Sequence, residues 1–288
     1  MTPPITAIGL LTADQVKDVL GAATRASSTR PTPAWRVRCT PAGFELHTDP
    51  RCAPPPAGQR ELLLSGGAAL FNLRTAIHVL GAHPATSILP DRDAPTLLAL
   101  VRPFAAIRPD PRLVRLARAI AHQDTGHAPS GHPKAPETVL TELRHAAEVE
   151  QAWLHRPGPD HLTRLSELTG HHHPPQPPSH HDRAAAPPHD RAWIRPSPDP
   201  DRRARPDEPL IVVIGSLDDT REDRIRAGQA RQRVLLTATA AGLHTTFLAP
   251  PVEVPAARAR LRTLLGKGLW PQAVLRLART APGPQPTA

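Results

Sequence analysis

The sequence predicts an α+β protein with a mixed central sheet, and three stretches carry that prediction. Residues 60–80 form a long, nearly all-apolar helix stopped by Gly81. Residues 226–248 read as a helix, a glycine stop and a strand, and Leu210-Ile-Val-Val-Ile214 is an unbroken apolar run of the kind found in buried central or parallel strands. Strands interleaved with long helices point to a sheet packed against helices.

In chain order, Thr12-Ala-Asp-Gln15 is a capping box, and Val16, Val19, Leu20 and Ala23 follow at helical spacing, which predicts a helix over 12–25. Trp35, Val37 and Cys39 alternate with Arg36 and Arg38. Pro41-Ala-Gly43 then turns the chain, and Phe44, Leu46 and Thr48 alternate again, so a β-hairpin is expected. Within the 60–80 helix, Gly66, Gly67, Ala68 and Ala69 remove bulk at one point, which suits close helix packing or a flat ligand. Short strands follow near 84–89 and 97–102, then helices near 111–121 and from Pro136 to about Ala152, striped by Val139, Leu140, Leu143, Ala146 and Ala147. A further helix is read over 160–169. Residues 171–208 contain six histidines and many prolines with almost no apolar periodicity, and read as a flexible linker.

In the last third, Thr220 caps a helix striped by Ile225, Ala230, Val234, Leu235, Ala238 and Ala241. Gly242 occupies the left-handed stop, and His244 to Leu248 form a strand. A helix over Val254–Leu265, closed by Gly266, and a strand over Trp270–Leu277 end the pattern. The organisation expected is an N-terminal half over 10–170, a linker over 171–208, a C-terminal half over 209–279 and a disordered tail over 280–288.

Composition narrows the function classes. The chain of 288 residues is long enough for a sizeable core, and 39% of it is hydrophobic. Its net charge of +9 is nearly all arginine, since only Lys17, Lys134 and Lys267 are lysines. The arginines are dispersed among Asp and Glu, and aromatics make up 3%, which argues against a nucleic-acid surface. Ile5 to Leu11 is too short to span a bilayer and has no basic segment before it, so no membrane association and a cytoplasmic, reducing location are expected. Cys39 and Cys52 alone make neither a disulfide framework nor a zinc site.

Several segments together resemble the Acg-like branch of the FMN-dependent nitroreductase superfamily. They are Leu11-Thr-Ala-Asp-Gln-Val16, Arg60-Glu-Leu-Leu-Leu-Ser-Gly-Gly-Ala-Ala-Leu-Phe-Asn-Leu-Arg74, the 136–154 helix with its trailing Trp-Leu, Arg226 through Leu243, and Pro271-Gln-Ala-Val-Leu-Arg-Leu277. The resemblance covers roughly residues 12–170 and 209–278. It implies a three-layer fold whose two related halves form a single-chain pseudo-dimer, either monomeric or paired as a homodimer. It also implies FMN as cofactor, NAD(P)H as hydride donor, and a nitro, quinone or related small molecule as acceptor. The flavin performs the redox step, so no side-chain acid or base is required and no catalytic residue is assigned.

The family motif Ala-Pro-Ser-x-His-Asn-Thr-Gln-Pro-Trp falls on Ala26–Trp35, keeping Ser28, Thr32 and Trp35 and placing Arg30 at its histidine. The motif Arg-Arg-x-Thr-Asn-Arg falls on His122–His127 and keeps Thr125. With Gly228, Gly242, Leu243 and Arg276, these residues are the cofactor shell that the resemblance implies. Imidazoles in place of guanidiniums deplete the phosphate-binding groups. Two alternatives therefore stand beside the oxidoreductase: a pseudoenzyme with or without flavin, and an accessory or scaffold subunit that meets a protein partner through its basic surface and linker.

Overall fold

A computed structural model describes residues 6–28, 33–49, 58–123, 137–158, 210–248 and 250–279, together with His161 and Arg164. The 171–208 linker, the tail after 279 and most of the 160–169 helix lie outside the described residues.

Local signals place the elements much as read. Thr12 and Gln15 make the reciprocal capping box that starts α1 (Ala13–Thr24). Two strands, β1 (Trp35–Thr40) and β2 (Gly43–Thr48), form the hairpin across Pro41-Ala42. Gly43 is required at this turn: its φ is +141°, and a Cβ there would lie 2.4 Å from the Val101 carbonyl oxygen. The long helix α2 (Gln59–Val79) runs to Leu80 and Gly81, and β3 (Ala82–Ile88) and β4 (Leu97–Ala106) follow. Asp110 caps α3 (Pro111–Ile120), with proline in its first turn.

The second series contains α4 (Glu137–Val149), β5 (Trp153–His155), β6 (Leu210–Ser216), α5 (Arg221–Ala240), β7 (Leu243–Phe247), the short α6 (Pro250–Glu253), α7 (Pro255–Leu264) and β8 (Trp270–Arg279). Thr220 and Asp223 form a second capping box at the start of α5, and Gly242, at φ +74°, ends it.

The α+β class holds, but the strands form two four-stranded sheets, β1-β2-β4-β3 and β5-β6-β8-β7, rather than one mixed sheet. Every described strand pair is antiparallel. The apolar run of β6 reports burial on both faces, which a central antiparallel strand shares with a parallel one. Leu210, Val212 and Ile214 pack with α4 and α5, while Ile211 and Val213 pack with Val252 and Leu261 on the other face. β5 lies before the 171–208 segment yet pairs with β6 after it. A division at residue 170 therefore does not separate the sheets, since α4 and β5 pack with the C-terminal strands.

Each series runs helix, strand, strand, helix, strand, strand, apart from α3 added after β4 and α6 and α7 inserted before β8, and each sheet takes the order first, second, fourth, third. The pairing of second to fourth strand is irregular at the same place in both sheets, at Leu46/His47 and at Ile214/Gly215. α2 and α5 cross at Gly67 and Gly228, where a Cβ on Gly67 would meet the Ile225 carbonyl oxygen at 2.1 Å. The small-residue patch of α2 thus serves close helix packing. The helix starts also reach across: Arg60 donates to the Gln272 carbonyl of β8, and Arg221 donates to the Pro95 carbonyl just before β4 at 2.6 Å. By length and hydropathy α2 could cross a membrane, but 78% of its most apolar window is buried inside the protein.

Candidate functional site

Where α1 and α3 end, four elements converge on one buried side chain, Gln232 of α5. Its Oε1 accepts from the Ser27 hydroxyl at 2.6 Å and from the Ser27 amide at 3.2 Å. Its Nε2 donates to Asn72 Oδ1 at 3.0 Å and to Gln123 Oε1 at 2.7 Å. Gln123 in turn donates to the Arg25 carbonyl, and Asn72 donates to the Ala22 carbonyl at 2.9 Å. Two carbonyls at the end of α1 are thereby satisfied by side chains from α2 and from the end of α3. Asn72, which the sequence leaves open between a core amide and a cleft contact, is a satisfied core amide with no exposure.

Arg231, next to Gln232 and 1% exposed, bonds Glu61 of α2 through both carboxylate oxygens at 3.1 and 3.0 Å. It also donates to the Ser27 carbonyl at 3.3 Å and lies over the Phe247 ring at 5.1 Å. Ser27 is consequently held at its amide, hydroxyl and carbonyl by two consecutive residues of α5.

Two charged clusters lie elsewhere along α5, one beside Arg233 and one at its start. Glu150, buried after α4, accepts from Arg74 of α2 and Arg233 of α5, each at 3.0 Å. Asp219 accepts paired hydrogen bonds from Arg224 and from Arg258, and another from Gln272. Burial pushes the Asp219 carboxyl upward, but the bonds from Arg258, Arg224 and Gln272 outweigh it and hold the group well below the ordinary carboxylate range. Arg60 is buried, and that burial, followed by repulsion from Arg258, brings its guanidinium down to about 10.

The structure sorts the residues of the expected cofactor shell. Arg30, Thr32 and Thr125 lie outside the described residues. Ser28 is half-buried beside Ser27 at the corner. Gly228 is not open to a ligand on its bare side, because a Cβ there would lie 2.2 Å from the Leu64 carbonyl oxygen, so helix crossing accounts for this glycine. Trp35 packs in the core with α1, α2 and the hairpin, and Leu243 packs in the core beneath α4 and α5. Gly242 is open, with nothing near a hypothetical Cβ. Arg276 is buried in β8 between Ile211 and Thr246. Ala273, Leu275 and Leu277 of that strand face α5, and alternation therefore puts Arg276 on the opposite face from Leu243 and Gly228.

Sequence reading missed Ser27, Gln123, Arg231 and Gln232. One signal was present: Gln229, Arg231 and Gln232 stand among the apolar stripe residues Ile225, Ala230, Val234 and Leu235 of a helix expected in the core.

No family model matches the chain. Among curated proteins it is 31% identical over 294 residues to Rv3131 of Mycobacterium tuberculosis strain H37Rv, provisionally named an NAD(P)H nitroreductase, covering 92% of this chain and 85% of the relative. It is 25% identical over 299 residues to acg of the same strain, which carries the same provisional name, covering 93% and 90%. Among solved structures, the NfrA1 nitroreductase from B. subtilis aligns at TM-score 0.39 and 12% identity over 60% of this chain and 70% of that one. A nitroreductase with bound FMN from Bacteroides fragilis aligns at 0.38 and 15%, over 60% and 92%. These two likenesses are too distant to carry an argument, and the sequence relatives decide membership. The chain is a diverged member of the nitroreductase superfamily.

Proposed function

We propose that this protein is an NAD(P)H-dependent flavin oxidoreductase built as a single-chain pseudo-dimer, with FMN held beside the corner formed by Ser27, Ser28, Gln123 and Gln232. The observation that carries the reading is the convergence on Gln232. The two motif segments that resemble the family's flavin contacts, Ala26–Trp35 and His122–His127, both leave this corner from residues bonded to that one side chain. The repeated strand order, the matching pairing irregularities and the glycine crossing support the pseudo-dimer.

The described residues fit a flavin in kind at this corner and not at the helix crossing. A hydroxyl suits the polar edge of an isoalloxazine ring, and among the described shell residues half-buried Ser28 is placed to contribute one, whereas the side chains of Ser27, Gln123 and Gln232 are committed to one another. Gly228, Trp35 and Leu243 are used by packing and are not assigned to the cofactor. Bound FMN would accept a hydride from NAD(P)H and pass two electrons to a nitro, quinone or related acceptor. The protein's part is to orient the ring and exclude water around it. As part of the same proposal the protein works in the cytoplasm, on small molecules.

A second reading keeps the fold without flavin turnover. Gln123 favours it: this residue stands at the second arginine of the family motif, and both ends of its amide are committed to protein partners.

The test is an absorbance spectrum of the purified protein after incubation with FMN and desalting, followed by anaerobic titration with NADH and NADPH. Retained flavin bands at about 370 and 450 nm, bleached by either nucleotide, are expected of the oxidoreductase. Bands that resist bleaching select the second reading, and a colourless protein overturns flavin binding altogether.

A further inference from the structure

We infer that Gln232 is a positioning residue that sets the described starts of the two motif segments, Ala26–Ser28 and His122–Gln123, in register with each other through a single buried amide. The inference rests on the flavin reading of this corner, but its geometry stands apart from that reading.

A primary amide offers two donors and a carbonyl oxygen with two acceptor sites. Gln232 uses all of them, on Ser27 twice, on Asn72 and on Gln123, and it has no exposure. The bonds close a circuit: Gln232 holds Gln123, Gln123 holds the Arg25 carbonyl, and two residues further along Ser27 returns to Gln232. Movement of the α3 end therefore cannot leave the α1 end in place without breaking a bond of Gln123, which is part-buried toward Gln232 and exposed toward the Arg25 carbonyl. A buried polar circuit gains little stability over a well-packed apolar one, because each group loses its water on burial. What it supplies is orientation, since four directional bonds admit one arrangement. The amide belongs to the C-terminal series, whereas both segments it holds belong to the N-terminal series, so the flavin corner is aligned across the crossing of the two halves.

Gln232→Met preserves length and volume while removing every donor and acceptor. Amide hydrogen exchange of the flavin-free protein is followed for peptides covering Ala22–Ser28 and Ile120–Gln123, and FMN affinity is measured in parallel by quenching of flavin fluorescence. The expected result is faster exchange in both peptides together and at least about tenfold weaker FMN binding, the loss due to one set of buried partners. Leu73→Ala, a core cavity on α2, is expected to lower the melting temperature without the paired change in exchange or the loss of affinity. Ser27→Ala removes the hydroxyl bond and leaves the weaker amide bond to Gln232, so it is expected to speed exchange in the first peptide only and by less than Gln232→Met, which keeps the inference testable should Gln232→Met fold poorly.

Faster exchange in one peptide alone, or in neither, with Gln232→Met overturns the joint positioning. So does a loss of FMN affinity equal in Leu73→Ala. A wild-type protein that takes up no FMN overturns the proposed function instead, and exchange alone then decides whether Gln232 couples the two segments.

Discussion

Gly67 and Gly228 meet backbone to backbone where α2 crosses α5. A Cβ on the first would lie 2.1 Å from the Ile225 carbonyl oxygen, and one on the second would lie 2.2 Å from that of Leu64. Neither obstacle is the tip of a flexible side chain, so any larger residue must push the helices apart. Overpacking a core costs about 1–3 kcal/mol, and more where backbone must move. Gly67→Ala and Gly228→Ala are each expected to lower stability by at least about 3 kcal/mol in urea unfolding. Gly21→Ala, in α1 with nothing near its hypothetical Cβ, should instead stabilise by about 0.5–1 kcal/mol. Equal behaviour of the three variants would refute the crossing as the reason for the glycines.

Arg231 and Glu61 form a nearly fully buried ion pair between α5 and α2. Removing one partner strands the other charge, which costs about 3–5 kcal/mol. Glu61→Leu should therefore destabilise strongly, while Glu61→Leu combined with Arg231→Met should recover much of the loss. A double variant no better than the single one would show that the pair does not act as a unit.

Acid stability should depend on Asp219. Its carboxyl is held below its ordinary value near 3.8 in the folded state, so it contributes stability above that pH and loses the contribution as pH falls toward the folded-state value. The wild type should lose stability progressively below about pH 4 more steeply than Asp219→Asn, which is already weakened at neutral pH by two unpaired arginines. Parallel urea midpoints for the two proteins from pH 6 down to 3 would contradict this.

Gly242 ends α5 in the left-handed region, at φ +74°, with nothing within 4 Å of where a Cβ would stand. No atom within 4 Å opposes a Cβ there, so backbone strain sets the expected cost of Gly242→Ala at about 1 kcal/mol. A cost several times larger would mean that this position packs against something more than the helix end requires.

Much of the chain was legible because the signals that shape single elements are local. Thr12 with Gln15, and Thr220 with Asp223, cap helices through bonds three residues apart, and Gly81, Gly242 and Gly266 stop them through their own φ. The candidate site was legible only in part. Ser28 could be read by motif resemblance, whereas Gly228, Trp35 and Leu243 carry family-like identities for packing reasons that their spacing does not distinguish from ligand contact. Gln232 was invisible because its partners Ser27, Asn72 and Gln123 lie 205, 160 and 109 residues away.

The sequence by itself determined most of the helices and strands and the superfamily, though not the short β5 and α6 or the far end of β4, since periodicity, capping and motif identity are carried by neighbouring residues. Only the tertiary structure decided that the strands form two antiparallel sheets, that β5 joins the C-terminal strands, that the paired glycines serve a helix crossing and that one glutamine ties two motif segments together. Strand direction, close approach and buried hydrogen bonding depend on which distant surfaces meet, and an apolar run or a lone polar residue is compatible with several such meetings until the chain has folded.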